Sequence, residues 1–289
     1  MVLLFTTRRP SLRGMLLPWL AATLWIAGLL NLPTLWDRAQ GFWAQAPWAW
    51  RIGGPLAELA LMLGLTGALL ALAQLGGRWL QRGVVSLALL ASAACAYYMA
   101  RFKVVIGVGV LSATLTTDHD LSGEIMGIWL LLWLLAFGLL PAVWYWRQAR
   151  SPGLWGGLRQ GNWWRGLGLM LAGAAVLLAA GNAALHRASK QLRGLAGPET
   201  NLVGVASHAY LPSNWLSGSA MVVASRLRQS RDDARLLNPA TVHRYEPAAR
   251  LDDAVVILVI GETTRSDRLG LLGHGRDTTP HLAADPAVA

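Results

Sequence analysis

The stretch "IMGIWLLLWLLAFGLLPAVWYW", residues 125–146, contains no charged side chain. A helix that crosses a bilayer needs about 20 consecutive apolar residues. Twenty-two residues with four tryptophans and a tyrosine, three of those aromatics packed at one end, meet that need. Four further runs have the same character: Met15–Trp36, Leu56–Leu75, Val84–Ala100 and Leu167–Leu185. The sequence therefore predicts an α-helical membrane domain of five spans over residues 1–190.

Composition agrees. Hydrophobic residues make up 54% of the 289-residue chain and charged residues 14%, against about 25% charged in a soluble domain. The chain carries a formal charge of +10. Its arginines fall in short clusters between apolar runs, which is the pattern of topology signals. No helix-turn-helix, zinc-finger or RNA-binding pattern is present, so nucleic acid is excluded as a partner. The single cysteine, Cys95, lies inside an apolar run and reads as a small buried thiol.

Lys and Arg near the span ends set the orientation. Nine sit in the N-terminal segment and in the loops after spans two and four; four sit in the opposite loops. The N-terminus is expected in the cytoplasm, and everything after about residue 186 on the opposite side of the membrane. Arg8, Arg9 and Arg13 precede span one as they would in a signal peptide, but the apolar region is long and no small-residue cleavage site follows. It reads as a retained anchor. Trp36, Trp79, Trp144, Trp146, Trp163 and Trp164 lie at span ends and form the expected aromatic belt. Glu58 lies near the start of span two. An acid in a span is a functional candidate; its place near the end favours an interfacial carboxylate.

Between spans three and four, residues 97–124 read "YYMARFKVVIGVGVLSATLTTDHDLSGE". Val104, Val105, Ile106, Val108, Val110 and Leu111 suit a membrane surface. Thr114, Thr116, Thr117, Asp118, His119, Asp120 and Glu124 form a polar, acidic cluster. This is either an interfacial or re-entrant connector, or a site where a carboxylate pairs with a lipid head-group amine. Past span five, residues 191–252 form a connector. Within it, 219–237 has the pattern of an amphipathic helix, on a membrane or packed on a soluble domain.

"DAVVILVIGETTRSDRLGLLGHGRDTTPHL", residues 253–282, differs from everything before it. Ala254–Ile260 suits a strand buried on both faces of a parallel sheet. Glu262 follows Gly261 at the strand's carboxyl end, where open α/β sheets bind ligands. Either Glu262 is an oxygen ligand for a metal, or its charge favours the start of the next helix.

The segment 255–282 resembles the opening of the catalytic domain of the phosphoethanolamine transferases of Gram-negative bacteria. That family modifies lipid A or core lipopolysaccharide and includes the mobile colistin-resistance (polymyxin-resistance) enzymes. Gly261, Glu262, Thr263, Arg265, Asp267, Gly273, Arg276, Thr278 and Pro280 match its pattern; Leu272 and His274 replace an Asn and a Tyr. The five spans, "YYM" at 97–99, and Pro198 and Asn201 in the connector match too. The resemblance implies an inner-membrane enzyme with a periplasmic alkaline-phosphatase/sulfatase-like α/β domain, of which 253–289 is the truncated beginning. It implies a zinc-dependent transfer of phosphoethanolamine from phosphatidylethanolamine to lipid A or core lipopolysaccharide. Glu262 takes the place of a zinc ligand. The family's Thr nucleophile and later zinc ligands have no counterpart in these residues, so the chain as it stands is expected to be inactive. In the 97–124 loop the family's Asn, Thr and Glu head-group residues align with Ala113, Thr117 and Leu121, so only Thr117 is retained as a substrate-binding candidate. Asp118 and Glu124 are the candidate replacements for the two residues that differ. A glycerol-phosphate transferase of the same layout and a non-catalytic membrane remnant are the alternatives.

Overall fold

The computed structural model describes residues 11–116, 127–149, 151–157, 160–192, 201–233, 269–270, 273 and 275–284. The chain divides into two units, Met1–Ala234 and Arg235–Ala289.

The described residues of the first unit form helices joined by short turns and loops. Its first helix opens at α1, Leu12–Thr23, where Ser11 Oγ accepts from Gly14 N at 3.1 Å. That bond satisfies one of the unpaired amides at a helix start. The helix continues through a π-helical turn, Leu24–Gly28, and a 3₁₀ turn, Leu29–Asn31, into α2, Leu32–Gln45. α3, Trp48–Leu72, and α4, Gly77–Phe102, follow. The 3₁₀ turn Ala73–Gly76 separates them, and Gly77 stands at φ +81°. A side chain at that left-handed angle is unfavourable, which is why glycine ends the turn.

α5, Val108–Thr116, comes next. α6, Ile128–Trp133, passes through a second π-helical turn, Leu134–Leu139, into α7, Leu140–Gln148. A short α8, Gly153–Gly157, leads to α9, Gly161–Gln191. α10, Leu202–Ala209, and α11, Ser213–Asp233, complete the unit.

Four segments are long and apolar enough to cross a membrane: Leu12–Ala44, Trp48–Phe102, Ile128–Gly157 and Gly161–Gln191. The chain is thus a multi-pass membrane protein. α4 and α9 run past both ends of the apolar runs that predict them, whereas α3 stops at Leu72, three residues before the expected Leu75. α9, for example, extends six residues before Leu167 and six beyond Leu185, because backbone hydrogen bonding continues into the polar flanks.

The broadest helix contact is α3 against α9, antiparallel. A methyl added at Gly64 would lie 2.6 Å from Leu178 N and 2.7 Å from the Ala174 carbonyl oxygen. One added at Gly181 would lie 2.6 Å from Leu61 N and 2.7 Å from the Ala57 carbonyl oxygen. Each glycine receives the other helix's backbone, the small-residue packing that holds helices together where no water drives them. A second core joins Ala22, Ile26 and Leu30 of the first helix to Val85, Leu89 and Ala93 of α4 and Tyr145 of α7.

At one end of the bundle the two left-handed glycines meet: a methyl on Gly153, at φ +74°, would lie 2.7 Å from Gly77 Cα. Ser151 pins that junction. Its hydroxyl donates to the Gln74 carbonyl at 2.8 Å and accepts from Trp163 Nε1 at 3.2 Å. Trp163 is therefore core, 0% exposed, and leaves the aromatic belt expected of it. The indole has a buried hydrogen-bond acceptor here and needs no interface. Trp36, Trp79, Trp144, Trp146 and Trp164 remain exposed.

The amphipathic segment expected over 219–237 is helical from Ser213, six residues earlier. Its first turns are partly buried, with Asn214 and Gly218 fully so, and lack the alternation that marks an exposed amphipathic face; positions 234–237 lie outside the described residues.

In the second unit, Gly270 N donates to Thr278 Oγ1 at 2.9 Å, Gly273 turns at φ +92°, and a four-residue helix, Pro280–Ala283, follows. The strand expected at Ala254–Ile260 lies outside the described residues.

Candidate functional site

The triplet at 97–99 lies at the bundle end opposite the Gly77–Gly153 junction. Tyr97, Tyr98 and Met99 lie one turn before the end of α4 at Phe102. Tyr98 stacks on Phe102 with centroids 5.6 Å apart, and Tyr97 tilts against Trp133 at 6.1 Å. Lys103, left-handed at φ 55°, ends the helix and pairs with Asp37 at 2.9 Å. Both ends of that pair are well exposed, so it adds little stability.

The connector read as interfacial or re-entrant contains α5, and α5 packs on α11. Contact is tight at Gly218, where a methyl would lie 2.8 Å from Leu111 Cδ1. Ala113 is exposed on α5, and α5 ends immediately before Thr117. Thr117, Asp118, His119, Asp120, Leu121, Glu124 and Glu262 all lie outside the described residues. Among the described residues no three His, Cys, Asp or Glu side chains come together to hold a metal. Those residues therefore do not themselves fit a zinc ion.

α11 is fastened to α4 by its first turn. Trp215 Nε1 donates to Ser92 Oγ at 3.1 Å, and Asn214 Nδ2 to Met99 Sδ at 3.3 Å. Met99 of the "YYM" triplet is thus a buried acceptor. Just before α11, the Leu211 backbone is held at both of its polar groups by one side chain. Asn31 Nδ2 donates to the Leu211 carbonyl at 2.9 Å, and Leu211 N donates to Asn31 Oδ1 at 2.9 Å. Asn31 sits where the 3₁₀ turn opens the first helix.

Glu58 corrects the reading of an interfacial carboxylate. It is 0% exposed. Arg38 Nε donates to Glu58 Oε2 at 2.8 Å, and a second guanidinium nitrogen pairs with Oε1. Tyr210 Oη donates to Oε2 at 2.6 Å. The Arg38 guanidinium also lies 5.8 Å from the Tyr210 ring centroid. α2, α3 and the segment after α10 thus converge on one carboxylate. Burial raises the Tyr210 phenol well above its ordinary range, and the charge of Glu58 raises it further. The phenol stays protonated and donates to the carboxylate. A signal for this pairing exists in the sequence. A carboxylate inside an apolar span needs a cation at its own depth, and Arg38 stands on the other side of the turn at Pro47.

These observations define a class: a multi-pass helical membrane domain with a helical segment anchored across one end of it. Residues 62–212 match the family model described as phosphoethanolamine transferase EptA/EptB. The chain belongs to that family. It is 36% identical over 272 residues to a Kdo(2)-lipid A phosphoethanolamine 7''-transferase of Escherichia coli K12, covering 91% of this chain and 47% of that protein. It is 25% identical over 234 residues to phosphatidylethanolamine transferase Mcr-2 of Escherichia coli, covering 80% of this chain and 41% of that one. The chain thus spans about half the length of the curated relatives it matches. In fold it is similar to the lipooligosaccharide phosphoethanolamine transferase A of Neisseria meningitidis, with a TM-score of 0.60 at 21% identity, covering 93% of this chain and 46% of that one.

Proposed function

We propose that the chain is the membrane portion of an inner-membrane enzyme that moves phosphoethanolamine from phosphatidylethanolamine to lipid A or core lipopolysaccharide. The family match over residues 62–212 carries the reading, and the Kdo(2)-lipid A relative at 36% identity supports the acceptor class. In the net reaction the bond from phosphorus to the diacylglycerol oxygen breaks and one to an acceptor oxygen forms. The acceptor's proton passes to the diacylglycerol hydroxyl.

On this reading the protein has five spans. The 55-residue stretch Trp48–Phe102 comprises helices of 25 and 26 residues separated by a turn. At 1.5 Å per residue each is about 38 Å long, enough to cross a hydrocarbon core of about 30 Å. The excess of Arg at the N-terminal side places the N-terminus in the cytoplasm and α10, α11 and the C-terminal unit in the periplasm. Thr117 contributes to the donor head-group site. Glu262 is one ligand of a zinc ion that acts as a Lewis acid on the phosphoryl group when bound.

The test is made on the complete gene product in a Gram-negative host lacking its own phosphoethanolamine transferases. Mass spectrometry of its lipopolysaccharide is expected to show one added phosphoethanolamine. Labelled phosphatidylethanolamine, and not labelled phosphatidylglycerol, should supply it. An added glycerol phosphate instead would establish the sister activity, and an unmodified lipopolysaccharide would overturn the reading.

A further inference from the structure

A cavity of about 450 Å³ opens between the first helix, α4 and α7. It has the volume of a ligand site. Its walls are apolar, including Ala21, Trp25, Ala136, Leu140, Trp144 and Tyr145.

Its position coincides with the two π-helical turns of the molecule's described residues. Trp25 lies in the turn Leu24–Gly28 and Ala136 in the turn Leu134–Leu139. Trp25 Nε1 donates across to the Phe137 carbonyl at 2.9 Å. A π turn widens the helix by one residue and is frequent at functional sites. Here the two wide turns face each other, and the alanines beside them leave the space unfilled.

One end of the cavity is set by Tyr145, whose hydroxyl accepts from Gln81 Nε2 at 2.8 Å. The next residue on each helix forms a cationic stack. The Arg82 guanidinium lies 5.6 Å from the Trp146 ring and 5.7 Å from the Trp79 ring. Arg78 lies 5.1 Å from Trp79 on its own side. One Arg82 nitrogen donates to the Ala149 carbonyl at 3.0 Å. Its Nε is buried with no partner among the described residues. Arg82 is seven residues from Leu89, a cavity wall on the same face of α4, and so about 10 Å along the axis from it.

An apolar groove inside membrane-crossing helices, with the Arg82 guanidinium stacked on Trp146, the residue next to the wall residue Tyr145, fits a molecule with an anionic head and an apolar chain. We propose that this groove is a binding site for one glycerophospholipid, with an acyl chain between the π-helical turns and its phosphate at Arg82. This site lies at the Gly77–Gly153 end, away from the α4–α5–α11 end where the donor head group is placed. It rests on the chain crossing a membrane and not on the transferase reading.

The test uses the full chain in nanodiscs of phosphatidylethanolamine and phosphatidylglycerol, each in turn carrying a photoactivatable acyl chain. Cross-links are expected to concentrate on peptides containing Trp25 and Leu140–Trp144. Native mass spectrometry after detergent extraction is expected to retain one phospholipid. Ala136→Trp fills the groove and should lower retention about tenfold, a difference of about 1.4 kcal/mol; Val176→Trp, on the lipid-facing side of α9, should not. Arg82→Gln should lower retention and Arg82→Lys restore part of it. Cross-links spread evenly over the lipid-facing surface, or full retention in a folded Ala136→Trp, would overturn the site. Unchanged retention in Arg82→Gln would overturn the phosphate contact. No arm reads transfer, so failure here leaves the functional reading standing.

Discussion

Tyr210 donates a 2.6 Å hydrogen bond to Glu58 across 152 residues of chain. The phenol belongs to the segment between α10 and α11, the carboxylate to α3, and Arg38 of α2 completes the pair. This is where the segment after the last membrane-crossing helix is electrostatically committed to the membrane domain.

Removing Arg38 leaves Glu58 as a buried charge without its cation. Arg38→Ala is expected to cost about 3 kcal/mol, the low end for a broken buried pair because Arg38 keeps 22% of its side chain exposed. The double replacement Arg38→Met with Glu58→Leu should recover most of that loss, since two apolar groups need no partner. Unfolding midpoints in detergent compare the three proteins. A double variant no more stable than Arg38→Ala would show that the pair itself holds the fold.

Tyr210→Phe removes one hydrogen bond to a charged acceptor, worth about 1.5–3 kcal/mol. It also changes the response to alkali. The folded phenol is raised above its unfolded value of about 10. The unfolded chain therefore loses this proton first, and stability is intact below pH 10 and falls as pH rises above it. The wild type should lose more stability between about pH 9 and 11 than Tyr210→Phe does. Identical alkaline profiles would count against a buried, proton-donating Tyr210.

Gly64→Leu and Gly181→Leu each drive a side chain into the facing backbone of the α3–α9 contact. Overpacking of this kind costs about 1–3 kcal/mol where a side chain can yield, and backbone yields less. Both variants should unfold earlier in a detergent titration. Gly168→Leu on the same α9, with nothing within 4 Å of the added carbon, should behave as wild type. Equal destabilisation at all three sites would point to a helix-wide effect instead of the contact.

Glu262→Ala in the complete gene product is expected to abolish phosphoethanolamine addition without altering membrane insertion. Lipopolysaccharide mass spectrometry, with protein quantified in the membrane fraction, makes the comparison. Wild-type transfer in that variant would remove Glu262 from the site.

The helical membrane class was legible because a bilayer imposes a length and a polarity on every span, and 125–146 satisfies both without help from its neighbours. Residues 97–99 and the motif at 261–267 were legible as a family pattern, since residue types at fixed spacing survive without coordinates. The start of α11 was not legible, because Asn214, buried, and Trp215, partly buried, are hydrogen-bonded to α4 and carry no amphipathic mark. Trp163 was misread for a related reason. A tryptophan at a span end looks the same whether it faces lipid or a buried serine.

By itself, then, the sequence determined the apolar helices, the direction of their charge asymmetry and the family. Those depend on local hydrophobicity and on linear spacing. Only the tertiary structure decided that Glu58 is an ion-paired core residue, that Asn31 clamps Leu211, and that two π-helical turns face each other around a cavity. Each of those depends on groups far apart in the chain meeting at one depth, and no local pattern specifies such a meeting.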